Sequence, residues 1–151
     1  MKLQELITPA LIQLQVSLYS REAAIQAGAD LLHAAGAHPT AGVTAEAIEA
    51  NLARFGPYFV IAPGVAMPHA ASPSEVLTAG VSVITLAAPV HFGHERNDPV
   101  RLVLTLAAPD QASHLAALGQ LAQRLSRSGV VDQVIAATTK ETVLNILTEE
   151  N

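Results

Sequence analysis

The sequence has no cysteine and no tryptophan, and aromatic residues make up 3% of it. Without cysteine there is no disulfide framework, no thiolate metal site and no cysteine nucleophile. Lysine occurs at Lys2 and Lys140 alone, which argues against a Schiff-base lysine. Charged residues are 14% of the chain, and acids outnumber bases 13 to 8 for a net charge of −5. Such a balance offers no electrostatic footprint for DNA or RNA. The longest apolar stretches, Phe59 to Met67 and Ala79 to Val90, are shorter than a membrane span, so no membrane insertion is expected. At the N-terminus Glu5 and several glutamines interrupt the apolar run that a signal peptide needs. These absences together point to a cytoplasmic protein.

What is present is a large apolar fraction. Half of the 151 residues are hydrophobic, so a core of Ala, Leu, Val and Ile is expected within one domain spanning residues 1–151. The first clear helix is predicted from Ser20, a good N-cap, with Glu22 in the first turn. Ile25, Ala29 and Leu32 mark its buried stripe, and Gly36 is its stop. A second helix is predicted with Thr44 as cap and with Ile48, Leu52 and Phe55 on one face, ending at Gly56-Pro57. Tyr58 to Ile61 reads as a short strand, followed by an irregular segment, Ala62 to Ala71. Val81 to Leu86 and Val100 to Leu106 have strong β-propensity. The loop between them, Ala87 to Pro99, is too short and too polar for a helical crossover.

The last third reads as helical. Ser113 is a candidate cap for a helix whose Leu115, Leu118, Ala122 and Leu125 share a face. A shorter helix follows from about Val130, and a final one from about Lys140 carries Val143, Leu144 and Leu147. The expected fold class is α/β, a mixed β-sheet flanked by helices.

The six histidines, at 33, 38, 69, 91, 94 and 114, are the main candidates for chemistry near neutral pH. His69 follows Pro68, which denies the preceding residue a helix and removes a backbone donor. A stiff segment at a strand end presents its side chain on a rigid support; an ordinary loop histidine is the alternative. His114 sits at a helix start, where unpaired N–H groups favour an anion such as phosphate, or it is simply a surface residue. His91-x-x-His94-Glu95 has metal-ligand residue types. It lacks the H-E-x-x-H order of zinc proteases, and Gly93 argues against a helix there. His33 reads as a helix boundary residue and His38, before Pro39, as a loop residue. Dinucleotide, Walker and nucleophile-elbow motifs are absent.

The tract Gly56-Pro-Tyr-Phe-Val-Ile-Ala-Pro-Gly-Val-Ala-Met-Pro-His-Ala70 resembles the enzyme IIA domains of the bacterial sugar phosphotransferase system, of the mannitol/fructose type. Phe92-Gly-His-Glu-Arg-Asn-Asp-Pro-Val100 is similar to the ascorbate-specific branch, and Ser113-His-Leu-Ala-Ala117 matches a third motif in the right order. The resemblance covers essentially the whole chain and implies the mannitol-type IIA fold. By it, His69 is the phosphoacceptor, carrying the group on Nε2, and His114 is the second histidine that stabilises the phosphoryl group. Arg54 lies about one residue from where mannitol-type members carry an arginine near the site, and Ser113 stands beside His114. His94, Glu95 and Asp98 match the ascorbate-type loop, and the resemblance assigns them no catalytic task.

The resemblance further implies a phosphotransferase that needs no metal or other cofactor. It would accept a phosphoryl group from phospho-HPr and pass it to an ascorbate-type IIB component, serving the membrane IIC component indirectly. Phe59, Val65 and Met67 are candidates for an apolar docking rim or for core. Two other readings stand beside transport. One is a regulatory phosphoacceptor acting by protein binding; the other is a small metal-dependent hydrolase using His69, His91 and His94.

Overall fold

The two β-rich runs form the centre of a five-stranded sheet. In the computed structural model, which describes residues 2–37, 41–69 and 76–149 (the side chains of residues 41–44 excepted), they are β4 (Gly80–Val90) and β5 (Val100–Ala107). They pair antiparallel, from Gly80 opposite Ala107 to Val90 opposite Val100, as the short connection between them required. Three further strands complete the sheet: β1 (Ile12–Val16), β2 (Val60–Ala62) and β3 (Val65–Ala66). The order is β1-β4-β5-β3-β2. β1 runs parallel to β4, β3 parallel to β5, and β2 antiparallel to β3. The sheet is therefore mixed, as expected.

Side chains alternate across this sheet because successive residues of a strand point to opposite faces. Val81, Val83, Leu102, Leu104 and Leu106 pack on one face with the apolar stripes of α1 (Leu3–Leu6), α4 (Gln111–Leu125), α5 (Val130–Ala136) and α6 (Lys140–Thr148). Ile84, Leu86 and Val103 pack on the other with α2 (Arg21–Ala34) and α3 (Ala41–Phe55). Gly28 brings α2 down onto the strands: a Cβ there would lie 2.2 Å from the hydroxyl of Thr105. A helix approaching this closely has room for no side chain at that position.

α2 begins and ends as predicted. The Ser20 hydroxyl accepts the Ala23 N–H at 3.0 Å, Ala24, Ile25, Ala29 and Leu32 are buried, and Gly36 takes a left-handed φ of +84°. α3 departs from expectation at both ends. It starts at Ala41, so Thr44 lies within the helix rather than capping it. Ile48 and Leu52 are buried, but Phe55 is 62% exposed, its ring edge-on to Tyr58.

The strand expected at Tyr58 to Ile61 is shifted to Val60–Ala62. The segment expected to be irregular holds β3, which makes a tight hairpin with β2 through Gly64 at φ +77°. Strand β1 lies in a stretch given no element by the sequence reading; its period-two pattern (Ile12, Leu14, Val16 against Gln13, Gln15) was the available signal.

In the last third, α4 is capped by Asp110, whose carboxylate accepts the Ser113 N–H at 2.7 Å. Ser113 is thus in the first turn and is not the cap. The buried stripe of α4 is Ala117, Leu121 and Leu125, with Leu118 packed beside it. Leu115 and Ala122 face solvent instead. α5 and α6 begin at Val130 and Lys140, and Val143 and Leu147 are fully buried. Among the described residues, no helix is long and apolar enough to cross a membrane. His38 and Ala70 lie outside the described residues.

Candidate active site

His69 stands where the chain leaves β3 and runs on beside β5. The Leu106 N–H donates to the Pro68 carbonyl at 2.9 Å, and His69 itself bridges to Leu106 in parallel register. Proline has no N–H to continue the ladder, so this single bridge fixes the backbone beyond the end of β3. β5 then passes through Ala108 and Pro109 into the Asp110 cap and the first turn of α4, which carries His114. Two segments distant in sequence are brought together in this way: the His69 and His114 rings have centroids 4.9 Å apart, inclined at 62°.

The His69 ring is held by its own backbone. Nδ1 lies 2.8 Å from the Met67 carbonyl oxygen. A carbonyl can only accept, so Nδ1 carries the proton and the lone pair of the neutral ring is left on Nε2. The Tyr58 ring also stands edge-on to His69, at 5.3 Å and 90°. The Tyr58 hydroxyl donates to the His69 carbonyl at 2.7 Å. Burial raises the Tyr58 phenol above its ordinary value, against a smaller opposing effect of a hydrogen bond with Asn51.

His114 is pushed below its ordinary value, first by burial and then by repulsion from the His69 ring. A second histidine that resists protonation is a neutral donor beside the first, rather than a fixed cation. The helix start beneath it is not an empty anion seat. The Asp110 carboxylate is bound by the Ser113 N–H and hydroxyl and by the Ala112 N–H, which hold it below the usual carboxylate range. The chain's own acid therefore occupies the donors that a helix N-terminus otherwise presents.

The remaining candidates lie apart from this pair. Arg54 is on the exposed end of α3, its guanidinium stacked over the Phe55 ring at 5.0 Å. Phe55 meets Tyr58 edge-on at 6.4 Å, so Arg54 ends a row of rings that leads to His69. Phe59, Val65 and Met67 are buried and belong to the core, not to a docking rim. The exposed large apolar residues include Phe55, Tyr58, Ile61 and Leu115 instead.

The loop from His91 to Pro99 is built around Asp98. Its Oδ1 accepts the Phe92 N–H at 2.9 Å, and its Oδ2 accepts those of Gly93 at 2.7 Å and His94 at 3.0 Å. Nδ1 of His94 accepts the N–H groups of Arg96 and Asn97. Asn97 then clamps the β2–β3 hairpin: its amide donates to the Val60 carbonyl, and its own carbonyl accepts the Gly64 N–H. Among the described residues, no group of three or more His, Asp or Glu is placed to hold a metal ion. The hydrolase reading is left without a ligand set there. Sequence reasoning missed Tyr58 and the structural role of Asp98. An aspartate before proline in a loop containing glycine was the signal for the latter.

Comparison with known proteins adds the lineage. The family model for the phosphoenolpyruvate-dependent sugar phosphotransferase system, EIIA 2, matches residues 5–150. The ascorbate-specific EIIA component of Salmonella choleraesuis (strain SC-B67) is 36% identical over 141 residues, covering 93% of this chain and 90% of that protein. The mannitol-specific cryptic enzyme IIA CmtB from Escherichia coli superposes with a TM-score of 0.84 at 27% identity, over 98% of this chain and 99% of that one. The nitrogen regulatory protein IIA-Ntr from Neisseria meningitidis gives 0.84 at 25%, over 96% and 98%. The mannitol enzyme IIA solved with phosphorylated enzyme IIB from Escherichia coli shares the fold, at TM-score 0.81 and 23% identity over 93% and 96%. With nearly its whole length matched, the chain belongs to the EIIA 2 family of the phosphoenolpyruvate-dependent sugar phosphotransferase system.

Proposed function

We propose that this protein is a cytoplasmic phosphocarrier that takes a phosphoryl group from phospho-HPr on Nε2 of His69 and hands it to a IIB component for ascorbate uptake, within a single domain spanning residues 1–151. The observation that carries the reading is the His69 ring itself. Its Nδ1–H is tied to the Met67 carbonyl, which leaves the lone pair on its other nitrogen, beside a second histidine 4.9 Å away. Similarity to ascorbate-specific EIIA components supports the sugar, and the mannitol enzyme IIA solved with phosphorylated enzyme IIB supports the acceptor.

In the first step Nε2 forms a bond to phosphorus as the nitrogen–phosphorus bond of phospho-HPr breaks, and the electron pair returns to the HPr ring. Positive charge then spreads over the His69 imidazole. The Met67 carbonyl, already accepting Nδ1–H, stabilises it. In the second step a IIB cysteine sulfur attacks phosphorus and the pair returns to Nε2. Neutral His114 offers an N–H to the phosphoryl oxygens in the second step. Ser113 contributes through Asp110, whose carboxylate accepts its N–H, while Arg54 stays stacked on Phe55.

The test is intact-protein mass spectrometry after incubation with phosphoenolpyruvate, enzyme I and HPr, beside His69→Gln. One acid-labile, base-stable phosphoryl group, absent from the variant, is expected. An active HPr that adds no mass would overturn the reading.

A further inference from the structure

Tyr58 meets His69 twice. Its ring stands edge-on to the imidazole at 5.3 Å, and its hydroxyl donates to the His69 backbone carbonyl at 2.7 Å. We infer that Tyr58 is a positioning residue for the His69 nucleophile, pinning the peptide and walling the ring so that Nδ1–H stays on the Met67 carbonyl and Nε2 faces the phosphoryl donor. The inference rests on the phosphocarrier reading for its consequence, and on geometry alone for the tautomer.

The local backbone explains why such a pin is needed. Pro68 gives the segment no N–H, and a single bridge to Leu106 fixes His69 on the sheet side. The Tyr58 bond holds the next peptide, on the other side of the His69 Cα, from the turn that follows α3. The bond from Nδ1 to Met67 closes over two residues, so rotation about the His69 N–Cα bond carries the ring and the His69 carbonyl together relative to that acceptor. Fixing the His69 carbonyl fixes that relation. The hydroxyl suits this role because a phenol keeps its proton at neutral pH, and a side-chain hydrogen bond links it to Asn51 on α3. Tyr58 therefore ties α3 and the turn after it to the segment that carries the nucleophile.

The test uses Tyr58→Phe, which keeps the ring and removes the pin, and Asn51→Leu, which leaves Tyr58 in place but removes its anchor. In long-range 1H–15N spectra of the unphosphorylated protein at pH 8, wild type should show Nδ1 protonated and Nε2 bare. Tyr58→Phe should raise the share of the opposite tautomer, and Asn51→Leu should raise it less. Loss of one such bond corresponds to about a fivefold change, so kcat for phosphoryl acceptance should fall about fivefold in Tyr58→Phe, with KM for phospho-HPr nearly unchanged. A folded Tyr58→Phe with wild-type tautomer and kcat overturns the inference. If Tyr58→Phe does not fold, the Asn51→Leu spectrum decides in the same way. A wild type that takes no phosphoryl group from HPr, with the tautomer change still seen in the variants, overturns the phosphocarrier reading and leaves the positioning role standing.

Discussion

On the phosphocarrier reading proposed above, His114 serves transfer to IIB more than acceptance from HPr. Burial and the neighbouring His69 ring hold it below its ordinary value of 6.5, so in the folded protein it resists a proton that the unfolded chain accepts. Its contribution to stability is therefore complete above that ordinary value and is lost as pH falls through the window down to its lowered folded value. His114→Gln should show a shallower loss of stability between pH 7 and pH 5 than wild type, measured by urea denaturation at each pH. A near-dianionic phosphoryl group on His69 reverses the local field. The His114 ring should then titrate at higher pH in the phosphorylated protein, and an NMR titration showing no rise would refute a contact between the two. His114→Ala should still accept phosphate at His69 but pass it to IIB about tenfold more slowly, the effect of losing one hydrogen bond to a charged group.

At the scale of elements, the β2–β3 hairpin and the His91–Pro99 loop form one unit. The Asp98 carboxylate gathers three backbone N–H groups of the loop, and Asn97 passes that order to Val60 and Gly64. The hairpin then delivers Met67 and His69. Asp98→Ala leaves three donors without their acceptor and should lower unfolding free energy by about 2 kcal/mol. Faster hydrogen exchange at Phe92, Gly93 and His94 should accompany it. Exchange rates matching wild type would show that the carboxylate is not the loop's organiser. The resemblance between residues 92–100 and the ascorbate-type tract thus has a structural reason. Asp98 and His94 order the loop whose Asn97 holds the hairpin leading to His69.

Over the whole molecule, what was legible in the sequence follows how local the signal is. The β4–β5 pair could be read because both strands are runs of β-branched and aliphatic residues and their connection is short. α2 could be read because Ser20, Glu22 and Gly36 punctuate an apolar stripe. The α4 cap was misplaced because Asp110 and Ser113 both have capping chemistry three residues apart. Only the direction in which the chain leaves β5 makes Asp110 the cap. The α4 stripe was misplaced with it: Leu115 and Ala122 fit a helical face as well as Ala117 and Leu121 do, and packing against the sheet decided between them. Phe55 and Phe59 were assigned by hydrophobicity, which does not say that a helix end turns one outward and the approach to a strand turns the other in. His69 was singled out through Pro68 and the family motif. Its tautomer and the contacts with Tyr58 were out of reach, since they arise from a carbonyl two residues back and a ring eleven residues away.

Strand end, Met67 carbonyl and His69 ring converge on one atom. The most direct measurement is therefore phosphorus–nitrogen coupling in 15N-histidine-labelled protein after phosphorylation by phosphoenolpyruvate, enzyme I and HPr. Coupling at Nε2 of His69, with a proton retained on Nδ1, is the expected result. Coupling at Nδ1, or on any histidine other than His69, would contradict the assignment of the nucleophile.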